Sequence, residues 1–245
     1  MRYTDKGLID ADLRAPEIIA EVFSGEPPGT VMERGASPPG IKLVYNFINS
    51  ETCRRFVEYA NTQPGKDATV TRVASDDSEE FVSRLSAGRV TTSISTHGIA
   101  EDLFKILAIA FLRHINPYYG TEIEWFELPD LLKYQPGGKY VDHSDADNWL
   151  PSQGRWQRAA DRDFSVLIYL NDDFEGGELE FPNFDFKIRP KSGLLVCFPS
   201  DHRFVHRALP VESGERYAIA CWAASKESER VCDSRPKGAV TLDPN

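Results

Sequence analysis

Residues 215–223 read Glu-Arg-Tyr-Ala-Ile-Ala-Cys-Trp-Ala. Successive side chains of an extended strand face opposite sides. Arg216, Ala218, Ala220 and Trp222 therefore share one face, and Tyr217, Ile219 and Cys221 the other. The second face suits a packed core. The first suits neither core nor water: two alanines leave space, and the guanidinium fork can grip an anion in it. The same arginine could instead close an internal ion pair with an Asp or Glu. In either case residues 215–223 wall a β structure that buries both faces.

Outward from this strand the texture is uniform. From Glu122 onward short β-like runs follow one another: WFELPDLLKYQ, FSVLIYL, GELEF, FDFKI, GLLVCF, FVHRALP and ERYAIACWAA. Pro-Gly-Gly, Asn-Asp-Asp, Gly-Gly, Pro-Asn, Pro-Lys-Ser-Gly and Glu-Ser-Gly separate them. Many short strands with turn residues at such spacing predict a sandwich or jelly-roll barrel. Gly176-Gly177 and Pro190-Lys191-Ser192-Gly193 read as turns, not phosphate loops.

The first half is different. Residues 1–40 are rich in Pro and Gly and predict an irregular arm. Ile41–Tyr45 predicts a short strand. A helix follows, capped by Asn49 or Ser50, with Cys53, Phe56, Val57 and Ala60 on one face. Residues 64–88 are polar and predict a long loop or mobile hairpin. Arg89–Ser95 predicts one strand, and residues 98–114 a helix with Ile99, Leu103, Ile106, Leu107 and Ala110 in a stripe. The polar tail after Ser225 is expected on the surface. The whole is expected to be one domain over 1–245: arm 1–40, support 41–121, β core 122–225 and tail 226–245.

Composition narrows the classes of function. The 245 residues carry 28 Lys and Arg against 38 Asp and Glu, a net charge of −10. That balance disfavours a partner bound through phosphate neutralisation, so no nucleic acid is expected. Arg155, Arg158 and Arg162 around Trp156 are expected to be solvated loop. No stretch approaches the roughly 18 apolar residues of a membrane span, and the first residues lack a signal-peptide core. No membrane partner and a cytoplasmic location are the expectations. The four cysteines form no C-x-x-C pair; Cys197 and Cys221, inside apolar runs, are expected to be buried.

The chemistry-bearing segment is Tyr140-Val141-Asp142-His143-Ser144-Asp145. On an extended strand, His143 and Asp145 would aim an imidazole and a carboxylate at one point. His206, in a late strand that a jelly roll can return beside an early one, is the third candidate. Asp142 and Asp147 are rival carboxylates; His97, His114 and His202 are expected at the surface or at helix ends. Two imidazoles and one carboxylate on one face of an octahedral metal leave three positions open, the arrangement of non-haem iron(II) oxygenases.

Together these pieces resemble the prolyl 4-hydroxylase-like branch of the 2-oxoglutarate/iron(II) oxygenases. The resemblance is carried by KYQPGGKYVDHSD, RDFSVLIYLND with GGELEFP, IRPKSGLLVCFPS and HRALPVESGERYAIACW, in that order, over about ninety residues. It implies a mainly β, α+β fold with supporting helices around a double-stranded β-helix, the jelly-roll or cupin-like core. It implies His143, Asp145 and His206 as metal ligands and Arg216 as the anchor of the co-substrate's distal carboxylate, where the branch often has Lys. Tyr134 matches a co-substrate-bonding tyrosine, Trp222 a cavity-lining tryptophan, and Ser165 keeps the hydroxyl at a position where threonine is common; the resemblance implies all three beside the co-substrate. The cofactors implied are Fe(II), 2-oxoglutarate and dioxygen, with ascorbate as a candidate reductant. Related halogenases lack the carboxylate that Asp145 provides, so its presence favours hydroxylation.

The implied substrate is a prolyl residue in a peptide or protein, with a free amino acid or other small molecule as the alternative. Residues 64–88 and 146–163 are candidate lids. A metal enzyme on a cupin-like barrel that dispenses with 2-oxoglutarate, or a non-catalytic binding module, are rival readings. The sequence leaves the oligomeric state open.

Overall fold

The computed structural model describes residues 37–73 and 81–242. The arm expected at 1–40 therefore lies outside the described residues up to residue 36, as does the 74–80 part of the first candidate lid.

Two antiparallel sheets face each other. Across the larger, the strands run Lys42–Val44, Leu195–Pro199, Phe164–Tyr169, Arg216–Ser225, Asp130–Tyr134, Thr92–Ile94 and Gly65–Asp67. Ile123–Phe126 pairs with the far end of Arg216–Ser225, and Val240–Thr241 pairs with Ile123–Phe126. The smaller sheet runs Phe186–Ile188, Leu179–Phe181, His206–Ala208, Lys139–His143 and Arg89–Val90. This is the double-stranded β-helix that the family resemblance implied, within the jelly-roll class that the spacing of strands and turns predicted.

Alternation assigns each face of the larger sheet. Tyr217, Ile219, Cys221 and Ala223 join Phe164, Val166 and Ile168 in a core closed from outside by Phe56, Leu103 and Phe111. The opposite face of Arg216–Ser225 looks between the sheets, where Ala220 packs with Leu132, Tyr134 and Ala208. The covering helices are Ser50–Thr62, capped by the Asn49 side chain on Thr52 N at 2.8 Å, and a helical run of which Ala100–Ile109 is the α-helical part. That run continues through a π-helical turn at Ala110–Ile115 to Tyr119, farther than the expected end at 114. Cys197 and Cys221 are buried, as expected.

Several local expectations give way to non-local pairing. Arg89–Ser95 is not one strand: Arg89–Val90 belongs to the smaller sheet and Thr92–Ile94 to the larger, with Thr91 at the corner. The 146–163 segment is no plain loop. It contains a hairpin, Asp147–Leu150 against Arg155–Arg158, with Trp149 opposite Trp156. The polar tail ends in Val240–Thr241, whose Val240, with Leu242, enters the helix-side core.

Candidate metal and co-substrate site

His143 and His206 face each other across the smaller sheet, directly paired in register. Between this pair and Ala208–Tyr140 the strand Lys139–His143 has one residue more than its partner, a β-bulge. The bulge turns residues three apart to the same side. Tyr140 consequently stacks on the His143 ring, 3.5 Å between centroids and 18° between planes.

Asp145 reaches the site by another route than strand alternation. The strand ends at His143, and Asp145 lies in the bend that precedes Asp147–Leu150. Its Oδ1 is 3.6 Å from His143 Nε2 and its Oδ2 3.6 Å from His206 Nε2. One ligand atom from each of the three residues lies within 4.8 Å of the others.

Backbone contacts fix both rings. His143 Nδ1 lies 2.8 Å from Val141 O and His206 Nδ1 3.0 Å from Phe204 O. A carbonyl can only accept, so each Nδ1 carries the proton and each Nε2 keeps its lone pair for the common point. Burial, then the neighbouring His206, holds His143 well below the ordinary histidine range. Burial opposes ionisation of Asp145, but His206, His143 and the Ser165 hydroxyl outweigh it and hold the carboxyl low. A neutral imidazole beside a carboxylate is the donor chemistry a divalent cation requires.

The rival carboxylates are engaged elsewhere. Asp142 faces out to Arg207 Nη1 at 3.3 Å. Asp147 Oδ2 accepts from the His202 backbone N–H at 2.9 Å and meets His202 Nδ1 at 2.6 Å. His114, expected at a helix end, lies edge-on to Phe47 in the π-helical turn with its Nε2 buried and unbonded.

Arg216 lies on the cavity face of its strand, paired in register with Tyr134. It is 2% exposed, its guanidinium sits 3.7 Å over the Tyr134 ring, and Nη1 donates to Gly177 O at 2.6 Å. Its Nε has no partner. Among the described residues no carboxylate lies within ion-pair distance, so the alternative of an internal salt bridge is not realised. A buried, uncompensated cation is unfavourable by several kcal/mol in principle. An anionic ligand would complete it.

The other expected residues fall into two groups. Tyr134 packs between the sheets under the Arg216 guanidinium, and Trp222 lines the open cleft with the Arg162 guanidinium 4.1 Å from its ring. Ser165, expected beside the co-substrate, instead donates its hydroxyl to Asp145 Oδ2 at 2.6 Å. Arg162 corrects the expectation of a solvated loop: it forms a two-pronged pair with Glu127, 2.5 and 2.8 Å, and donates to Asp145 O at 3.2 Å.

Tyr169 was not singled out from the sequence. Its buried ring lies 6.0 Å from the Arg216 guanidinium. The signal was present, because Ser165, Leu167 and Tyr169 share one face of FSVLIYL.

Above the metal cluster a cleft of about 620 Å³ opens. Lys66–Val70, Asn148, Ala159 and Ala160 line it, together with Asp145, Arg162 and Trp222. Both candidate lids therefore contribute to its rim.

Known proteins resemble this chain in sequence and in fold. Residues 129–224 match the family model of the 2OG-Fe(II) oxygenase superfamily. Prolyl 3-hydroxylase 2 of Rattus norvegicus is 44% identical over 66 residues, 25% of this chain but only 9% of that protein. Probable prolyl 4-hydroxylase 6 of Arabidopsis thaliana is 25% identical over 209 residues, covering 75% of this chain and 68% of that one. The viral collagen prolyl hydroxylase of Paramecium Bursaria Chlorella virus-1, solved as its 2OG complex, shares the fold with a TM-score of 0.55. It is 21% identical, over 76% of this chain and 97% of that chain. Residues 129–224 are thus similar to the 2OG-Fe(II) oxygenase superfamily, and the relatives that this chain resembles include prolyl hydroxylases.

Proposed function

We propose that this chain is an iron(II)- and 2-oxoglutarate-dependent dioxygenase that hydroxylates a prolyl residue in a peptide or protein. The observation that carries the reading is Arg216, a buried cation with no carboxylate partner among the described residues, on the inter-sheet face of its strand over Tyr134, in a chain that also gathers His143, Asp145 and His206. A site needing only a metal has no use for it.

The residues fit both groups. His143, Asp145 and His206 would hold the iron through two Nε2 atoms and a carboxylate oxygen. Arg216, flanked by the Tyr134 and Tyr169 rings, would take the distal carboxylate of 2-oxoglutarate, and Ala218 and Ala220 leave its chain room. Once bound, these groups supply the oxidising chemistry: dioxygen is divided between succinate, formed with loss of carbon dioxide, and the hydroxyl placed on the substrate. The protein contributes geometry. The two Nδ1 contacts prevent the imidazoles from rotating, and Trp222 with Arg162 narrows the approach from the cleft. The Lys66–Val70 and Asn148–Ala160 walls would close over an extended chain and exclude water.

Proline is read from the relatives' names, so the site of attack is a second question. The 44% identity over 66 residues to a prolyl 3-hydroxylase favours C3 as a second reading beside C4. A free amino acid or small molecule remains the alternative substrate class. The test begins with anaerobic Fe(II) and 2-oxoglutarate, following the visible metal-to-ligand charge-transfer band. Proline-rich peptides are then screened for succinate release with ascorbate present, and the product is analysed for 3- or 4-hydroxyproline. Folded protein without the band overturns the class. Turnover that survives Arg216→Ala at ordinary 2-oxoglutarate would move the chain to a cupin-like metal enzyme.

A further inference from the structure

Asp145 is the one member of the cluster with no strand to hold it. Its position is set from the side, by a residue 55 positions later in the chain. The Ser200 carbonyl accepts two hydrogen bonds from the bend, from Ser144 Oγ at 2.8 Å and from Ala146 N at 2.9 Å. These donors are the residues immediately before and after Asp145. Ser200 is itself anchored, its N–H donating to Asp163 O at 3.0 Å.

The Ser200 side chain acts on the same residue through Ser165. Ser165 Oγ lies 2.6 Å from Asp145 Oδ2 and 2.7 Å from Ser200 Oγ. A hydroxyl has one hydrogen, and that of Ser165 goes to the carboxylate, which can only accept. Ser200 must then be the donor in the second bond. The result is a directed chain, Ser200 O–H to Ser165 O–H to Asp145 Oδ2, with both serines 1–2% exposed. Shielded from water, such a chain gains strength from mutual polarisation.

We infer that Ser200 and Ser165 are positioning residues for the metal ligand Asp145, with Ser200 holding the bend by its carbonyl and the carboxylate by a hydroxyl relay. The inference rests on the metal-site reading. It adds that the carboxylate is oriented before any metal arrives: Oδ2 is occupied by Ser165, and the lone pairs of Oδ1 remain for a cation. Ser165 is thereby moved from the co-substrate to the metal.

The test is an anaerobic Fe(II) titration of wild type, Ser165→Ala, Ser165→Thr and Ser200→Ala at saturating 2-oxoglutarate, read by the charge-transfer band, with apo-protein Tm beside it. Loss of a ligand's supporting hydrogen bond typically weakens metal binding about 10–100-fold, the loss expected for Ser165→Ala. Ser165→Thr keeps the hydroxyl and should bind like wild type. Ser200→Ala keeps the carbonyl and loses only the relay, so its loss should be smaller than that of Ser165→Ala. A merely structural role would lower apo Tm and leave the Fe(II) affinity of the folded protein unmoved; that result in either alanine variant overturns the inference while wild-type binding upholds the site. Absence of the band in wild type removes the metal-site reading itself, and the inference with it.

Discussion

The floor and the mouth of the cavity each contain an arginine, and the two are balanced in opposite ways. At the mouth, Arg162 is matched by Glu127 in a two-pronged pair, stacked on Trp222 and bonded to the Asp145 carbonyl. At the floor, Arg216 has a carbonyl, an aromatic face and, among the described residues, no carboxylate. Removing one member of a satisfied pair leaves the other buried and alone, whereas removing an unsatisfied charge relieves a penalty. The mouth is therefore balanced within the protein, whereas the floor suits the anionic ligand proposed for it.

The largest effect expected lies between the two regions. His206→Ala should abolish the charge-transfer band, since losing a ligand exceeds the about 10–100-fold cost of losing a ligand's supporting partner. Retention of a wild-type band would dissolve the comparison, because floor and mouth would no longer flank a metal. Next, Arg216→Met should weaken 2-oxoglutarate binding by about 2–5 kcal/mol, the cost of truncating one side of a buried charge pair. Chemical denaturation of the same apo-variant should show stability equal to wild type or higher. A clear loss of apo stability would mean that the floor charge has a partner after all.

Arg162→Met should do the reverse. It strands Glu127, and because the pair is partly exposed the loss of apo stability is expected at about 1–3 kcal/mol, below that of a fully buried pair; calorimetry should record this while Fe(II) still binds. The smallest effect serves as the control. Asn49→Ala removes a helix cap far from the cavity and should lower stability by about 1 kcal/mol. The 2-oxoglutarate titration should not change; a change there would show that stability and affinity are not separable in this fold.

What could be read from the sequence was what local periodicity encodes. The two faces of Arg216–Ser225, a helix cap at Asn49 or Ser50 and the apolar runs of the core follow from spacing alone, and the structure selects Asn49. Which residue lies across a strand does not. The Tyr134–Arg216 pairing depends on a register set by residues 82 positions apart. Arg162 looked solvated because its partner, Glu127, is distant in the chain. Asp145 was placed on the correct side for an incomplete reason: the strand stops at His143, and the bend is held by Ser200. The division of Arg89–Ser95 between two sheets shows the same limit, since neither half can be told from the other until both sheets exist.

The bulge in Lys139–His143 has a consequence for how this region can vary in length. Side-chain direction there depends on one surplus residue: deleting Val141 or Asp142 would remove the bulge and leave Tyr140 and His143 two apart on one side, whereas a further residue between them would demand a wider bulge to keep both facing the site. That five-residue strand is therefore more open to losing its surplus residue than to gaining another. A few residues on, the hairpin tip at Pro151–Gly154 is exposed and free of such phase constraints, and there the chain can lengthen without disturbing the ligands. Added length among proteins that keep this site should therefore collect at the tip and not between Tyr140 and His143.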